Sequence, residues 1–251
     1  MGENLFHIGA VSYLNTVPLV WGMLHGPQKS SVHLSFSIPS VCAQQVEDNT
    51  IQAGLVPVAE VARQGLEIVT GVGIACLGAV RSILLVSRAP LREIKTLAAD
   101  SSSRTSVQLA RVILRERYGV EPAIHPESPD LESMLAGADS ALIIGDPALR
   151  IDPEKIDYEC LDLGAEWHAL TGLPMVFAAW AGKPGLSLKP LSEITRGSYE
   201  FGKDRLNEIV QAEYARRGIT RELAGRYLGE YIRFEIGAAE QKGLDAFLEL
   251  A

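Results

Sequence analysis

Asp100-Ser101-Ser102-Ser103-Arg104-Thr105-Ser106 concentrates hydroxyl side chains where a strand gives way to a helix. Before it, Thr96 to Ala99 reads as a short buried strand. After it, Val107, Leu109, Ala110, Ile113 and Leu114 recur at helical spacing, so a helix opens near Ser103. The first turn of a helix carries backbone N–H groups without intrahelical partners and the positive end of the dipole. With hydroxyls beside them, those groups hold an anion. Plain N-capping would need only one hydroxyl. The surplus makes Ser103, Arg104, Thr105 and Ser106 candidate substrate-binding residues, with Thr105 and Ser106 on a carboxylate and Arg104 facing either solvent or a neighbouring strand.

Three further strand ends carry small polar residues. Ser12-Tyr13-Leu14-Asn15-Thr16 follows the opening strand, Arg81-Ser82 lies in a long extended run, and Gly145-Asp146-Pro147 ends a very apolar strand. Each has a plain structural alternative: Ser12 or Asn15 as a helix cap, Ser82 as a strand end, Asp146 capping a turn that Pro147 initiates. Converging on one cleft, they supply Asn15, Ser82 and Asp146 as candidate catalytic residues and Ser12, Tyr13 and Gly145 as candidate binding residues. Asp146 is the one acid in the set and so the one protein candidate for handling a proton. No glycine-rich phosphate loop, zinc-protease helix or nucleophile elbow occurs. The set can hold an anion and stabilise charge, but it presents no strong base.

The elements that must position these residues alternate strand and helix. Strands are expected at Leu5–Val11, Val32–Ile38 and Ile51–Val56, with helices at Thr16–Leu24, Pro39–Glu47 and Val58–Gln64. The run from Ile68 to Val86 is extended. A second set follows: strands near Leu97, Ala123 and Ala141–Ile144, helices at Ser103–Tyr118 and Leu131–Leu135. Pro174–Trp180 is a further apolar strand, and the tail from Leu191 to Leu250 is helix-rich. The pattern predicts an α/β protein with mostly parallel sheets and right-handed crossovers. It divides into two lobes joined by a double crossover: residues 1–87 and 178–251 form a discontinuous first lobe and 88–177 an inserted second lobe, hinged near Ser87 and Ala178. Ligands in such folds sit at the carboxyl ends of strands, here between the lobes.

With 251 residues, 47% hydrophobic and 22% charged, the chain has the composition of an ordinary globular protein. A net charge of −8 without a basic stripe argues against nucleic acid as a partner. Cys42, Cys76 and Cys160 are widely spaced and odd in number, which speaks against a disulfide framework or zinc site and for a reducing compartment. The histidines lack metal-ligand spacing, and no metal or cofactor is expected. The start of the chain shows no secretion signal, and no apolar run approaches about 18 residues. A cytoplasmic protein with no membrane partner is the expectation.

Val11–Thr16, Gly54-Leu55-Val56-Pro57-Val58-Ala59-Glu60, Asp100–Ser106, Ile144–Leu149 and Glu166-Trp167-x-x-Leu170-Thr171-Gly172-Leu173-Pro174 together resemble the blocks of the chorismate dehydratase family. The resemblance runs from about residue 5 to 181 and more loosely through the tail. It implies a periplasmic-binding-protein-like fold used as a cytoplasmic enzyme, with a small dianionic substrate, chorismate. The implied reaction loses water to give 3-[(1-carboxyvinyl)oxy]benzoate, the first step of the futalosine route to menaquinone, with the substrate's own enolpyruvyl carboxylate as base. The sister family, 1,4-dihydroxy-6-naphthoate synthase, shares the fold but carries a Cys- and Pro-rich turn where this chain has Ser12-Tyr13-Leu14-Asn15. A non-catalytic small-anion binding protein is the alternative that the fold alone would permit.

Overall fold

The computed structural model describes residues 5–100, 102, 104–185 and 188–251. The chain opens with strand β1 (Phe6–Val11), helix α1 (Val17–His25), β2 (Val32–Ser37), α2 (Pro39–Glu47), β3 (Ala53–Pro57), α3 (Val58–Gln64) and the long β4 (Glu67–Cys76). It continues through β5 (Ile83–Ser87), β6 (Thr96–Asp100), α4 (Arg104–Ile113), β7 (Ala123–Glu127), α5 (Leu131–Gly137), β8 (Ser140–Ile144), α6 (Gly145–Arg150), β9 (Glu159–Asp162) and α7 (Leu163–Thr171). The last part is β10 (Met175–Gly182), α8 (Leu188–Lys203), α9 (Leu206–Glu213), α10 (Arg221–Arg226), β11 (Arg233–Glu235) and α11 (Ala238–Leu250).

The strands form two sheets, one ordered β11-β4-β10-β3-β1-β2 and the other β7-β6-β8-β5-β9. Within the first, β1 runs parallel to β2 and β3, while β10 is antiparallel to both β3 and β4. Within the second, β6 is parallel to β7 and β8, whereas β5 is antiparallel to β8 and β9. The sheets are therefore mixed rather than mostly parallel. Two of the reversals fall on β5 and β10, the strands that receive the chain as it passes between sheets, because a strand entered from the other sheet arrives from the opposite end; the third is the short edge strand β11, antiparallel to β4. Strands β3, β5 and β8 are buried at every position, as expected of central strands covered on both faces. One hydrophobic core runs through both halves, joining Ile8, Leu55 and Ile74 of the first sheet to Leu85, Leu97 and Leu142 of the second.

Sheet membership moves the boundaries expected from sequence. Ile83–Ser87 belongs to the second sheet, paired with Ile144–Ser140 and Asp162–Glu159, so the first passage between sheets is residues 77–82. Met175 already pairs with Cys76 in the first sheet, so the second passage is residues 163–174 and carries helix α7. Ser87 and Ala178 lie inside strand ladders and cannot serve as hinges. An apolar run carries no mark of which sheet it will join, which is why Ile68–Val86 read as one extended piece. The strands β9 and β11 were also not foreseen; each is short and lacks a clear alternation of apolar and polar residues.

Asp162 ties the two passages together. Its carboxylate accepts from Val80 N at 2.9 Å and Arg81 N at 2.6 Å in the first passage, and from Gly164 N at 3.0 Å and Ala165 N at 3.1 Å at the start of α7. Burial pushes this carboxyl above its ordinary 3.8, and the four N–H donors pull the other way. Arg81 takes a left-handed backbone at φ 66°, unusual for a residue with a side chain. Its guanidinium donates to the carbonyls of Ala148, Leu149 and Ile151 at the C-terminal end of α6. No helix among the described residues is long and apolar enough to cross a membrane. Asp162→Ala removes one acceptor from two chain passages at once and should destabilise the protein by about 3 kcal/mol, read from chemical denaturation. Asp162→Asn keeps an acceptor oxygen and should lose less.

Candidate active site

A cleft lies where the two sheets face each other, and Tyr13, Asn15, Ser82, Ser106 and Gly145 all line it. These five come from four chain segments. Tyr13 and Asn15 follow β1, Asn15 in a short 3₁₀ turn (Leu14–Thr16); Ser82 precedes β5; Ser106 is in the first turn of α4; Gly145 joins β8 to α6. Pro57, Ile74, Phe177 and Ala178 supply apolar wall. Among the described residues, none that lines this cleft carries a charged side chain.

Tyr13 closes one side. Its hydroxyl lies 3.1 Å from Ser102 Oγ, and its ring covers Gly145. Burial pushes its pKa up to about 12, against the hydrogen bond with Ser102 and with the charges of Asp100 and Asp146, so the phenol stays protonated. Gly145 has φ +66°, and an added Cβ would lie 2.8 Å from ring carbons of Tyr13. Glycine is required there twice over, by backbone conformation and by the ring. Its N–H donates to Ser82 O at 2.8 Å, which fixes the start of β5 against the start of α6.

Ser82 is 2% exposed, and its Oγ accepts from Tyr227 Oη at 2.8 Å. The Asn15 side chain lies beside the same Tyr227 hydroxyl, and Asn15 Oδ1 is buried with no partner among the described residues. An orphaned amide oxygen in a cleft calls for a donor from a ligand. Tyr227 and Arg217, from the tail, were not anticipated. Neither sits in a motif or at a strand end, so no local signal marks them.

The remaining sequence candidates do other work. Asp146 Oδ1 accepts from Leu14 N at 2.9 Å and Oδ2 pairs with Arg217, whose guanidinium also donates to Ser12 O and to Glu213. With both oxygens engaged, Asp146 anchors the Ser12–Asn15 turn instead of facing the cleft. Ser12 is exposed on the outer side of that turn, where its carbonyl is held by Arg217. Thr105 is fully buried and its Oγ1 accepts from Ala59 N at 3.1 Å, at the start of α3. Arg104 pairs with Glu60 at 2.7 Å. Ser103, with Ser101, lies outside the described residues. The first turn of α4 thus docks on the first sheet's helices through Thr105 and Arg104, helped by Ser40 N donating to Ser102 O at 2.9 Å, and of its described residues Ser106 reaches the cleft wall. Among the described residues no group of three or more His, Cys, Asp or Glu is placed to hold a metal.

The architecture is that of the periplasmic binding proteins. A structural-genomics protein of Archaeoglobus fulgidus superposes with a TM-score of 0.81 at 17% identity, covering 100% of this chain and 98% of that one. The alkanesulfonate-binding protein of Xanthomonas axonopodis pv. citri does so at 0.67 and 15% identity, covering 98% and 91%. At the level of sequence, a family described as menaquinone biosynthesis matches residues 6–251. Chorismate dehydratase of Thermus thermophilus is 31% identical over 192 residues, 70% of each chain; that of Campylobacter jejuni is 26% identical over 252 residues, 96% of this chain and 95% of the other. The chain belongs to the menaquinone-biosynthesis family of chorismate dehydratases.

Two outcomes follow from this geometry. Gly145→Ala should lower the melting temperature, since a left-handed alanine alone costs about 1–2 kcal/mol before the Tyr13 ring is displaced. Glu60 is 3% exposed; burial acts to raise its pKa, but hydrogen bonds from Arg63, Arg104 and Gln64 outweigh that and hold it below the ordinary 4.5. A lowered carboxyl adds stability that is present above the unfolded value and is lost as pH falls through the folded one. Melting temperature should therefore drop as pH is taken below 4.5, and Glu60→Gln should flatten that part of the profile.

Proposed function

We propose that this cleft dehydrates chorismate to 3-[(1-carboxyvinyl)oxy]benzoate, the opening step of the futalosine route to menaquinone. The observation that carries the reading is the combination of neutral donors with the absence of any charged side chain among the described lining residues. Family membership supports the same substrate, as does a binding-protein fold, which suits a small anion.

In the proposed reaction the C3 proton leaves first, and the electron pair of that bond moves through the ring double bond onto the ring carboxylate. Asn15, Ser82 and Ser106 line the space where hydrogen-bond donors would meet that growing charge. The C4 hydroxyl then departs, and C3–H and C4–OH together account for the water lost as the ring becomes aromatic. Asp146 is held by Leu14 N–H and Arg217, so it is poorly placed to take the C3 proton. That leaves the enolpyruvyl carboxylate of the substrate as the base that fits a cleft of this composition. The two halves act as lobes that close on the substrate; the Arg104–Glu60 pair, the Thr105–Ala59 bond and the Tyr13–Ser102 contact hold them shut, which excludes water and strengthens each polar contact.

Pure protein incubated with chorismate should produce an aromatic acid, followed by absorbance and mass. Unchanged chorismate would leave a binding protein as the better description. Asn15→Asp tests the site. It alters almost no volume but sets a negative charge beside a dianion, and like charges at about 4 Å repel by roughly 4 kcal/mol at an effective dielectric near 20. Turnover should fall by about a hundredfold or more. If Asn15 only capped a helix, aspartate would serve equally well, and activity and melting temperature would both stay near wild type.

A further inference from the structure

Tyr227 is 1% exposed and opens a π-helical turn (Tyr227–Tyr231) that continues α10. Wide turns of this kind are frequent at functional sites, because the extra residue aims a side chain that a regular helix would hold elsewhere. Here the buried side chain reaches a residue of the cleft lining, and its hydroxyl donates to Ser82 Oγ at 2.8 Å. The Asn15 side chain lies beside the same hydroxyl, and its Oδ1 has no partner among the described residues.

Within this group the hydrogen bond has one direction: Tyr227 gives its only proton to Ser82 oxygen. Ser82 has one proton of its own, and with Tyr227 occupying one of its lone pairs that proton is directed to the cleft it lines. A hydroxyl that already accepts a bond is a better donor, since bonds in a chain polarise one another. Resting on the reading of this cleft as the site of chorismate dehydration, we propose that Tyr227 is a positioning residue that makes Ser82 a committed hydrogen-bond donor to the substrate oxygen that gains charge as the C3–H bond breaks. Burial raises the pKa of Tyr227 above its ordinary 10.0, so the phenol keeps its proton over the working pH range.

The test is a double-mutant cycle on full-length protein, with chorismate as substrate and melting temperature measured alongside. Tyr227→Phe keeps the ring and removes one hydroxyl; kcat and kcat/KM should fall together by about tenfold, as for an interaction made in the transition state. In a Ser82→Ala background the same change should cost less than about twofold, because the donor it organises is gone. In Ser82→Thr, which keeps a hydroxyl, the full dependence on Tyr227 should return. A residue that merely packs would cost the same in all three backgrounds, and that result would overturn the proposal, as would wild-type kinetics in Tyr227→Phe. If Tyr227→Phe does not fold, Tyr227→His, which retains a ring donor, must keep more activity than Tyr227→Leu in wild type and equal activity in Ser82→Ala; parity in both would overturn it. Absence of turnover by the wild-type protein would remove the reading of the cleft and this inference together, whereas turnover with an additive cycle removes this inference alone.

Discussion

The carboxylate of Asp162 is the point on which the arrangement turns. The chain passes twice between the sheets, and each passage presents backbone N–H groups that no ladder can satisfy. One carboxylate takes four of them, two from each passage. Buried backbone donors left unpaired are costly, so the passages are held at one separation and one relative angle. Ser82 follows directly on the clamped Val80-Arg81 pair. Its place opposite Asn15 and Tyr227 is thus a consequence of where Asp162 holds the first passage, and the left-handed Arg81 is tolerated because its side chain and its N–H are both engaged.

The same economy governs charge. The protein carries a net −8, yet the proposed substrate is a dianion. Two sets of charged side chains near the cleft join its two sides: Glu60 with Arg104, and Asp146 with Arg217 and the Leu14 N–H. What remains on the lining is neutral. In a water-poor cleft, oriented neutral dipoles stabilise developing charge without the desolvation penalty of burying an ion. Tyr13 and Tyr227 serve the same end, since burial keeps both phenols protonated and therefore able to donate.

Local readings of sequence did well wherever one segment carried its own period. Helices Pro39–Glu47 and Val58–Gln64 agree residue for residue, and the blocks around Asn15, Ser82, Ser106 and Gly145 were each legible as polar residues at strand ends. The readings failed where the outcome depended on which other segment was near. Asp146 looked like a proton carrier until Arg217, some seventy residues on, was seen to hold it. Thr105 and Arg104 looked like anion ligands, but the start of α3 claims both.

The amino-acid sequence by itself determined the alternation of strand and helix, the buried character of the central strands and the small polar residues at their ends, because periodicity and capping act over a few residues. It also determined Gly145, the one residue type able to take a left-handed turn there, and it carries the family's blocks. Only the tertiary structure decided which sheet Ile83–Ser87 joins, which polar groups face the cleft and which serve the joints around it, and that Tyr227 of the tail hydrogen-bonds Ser82. Those are outcomes of long-range pairing, where a donor's partner is set by the packing of the whole chain, and a hydroxyl or carboxylate looks the same in sequence whichever partner it will find.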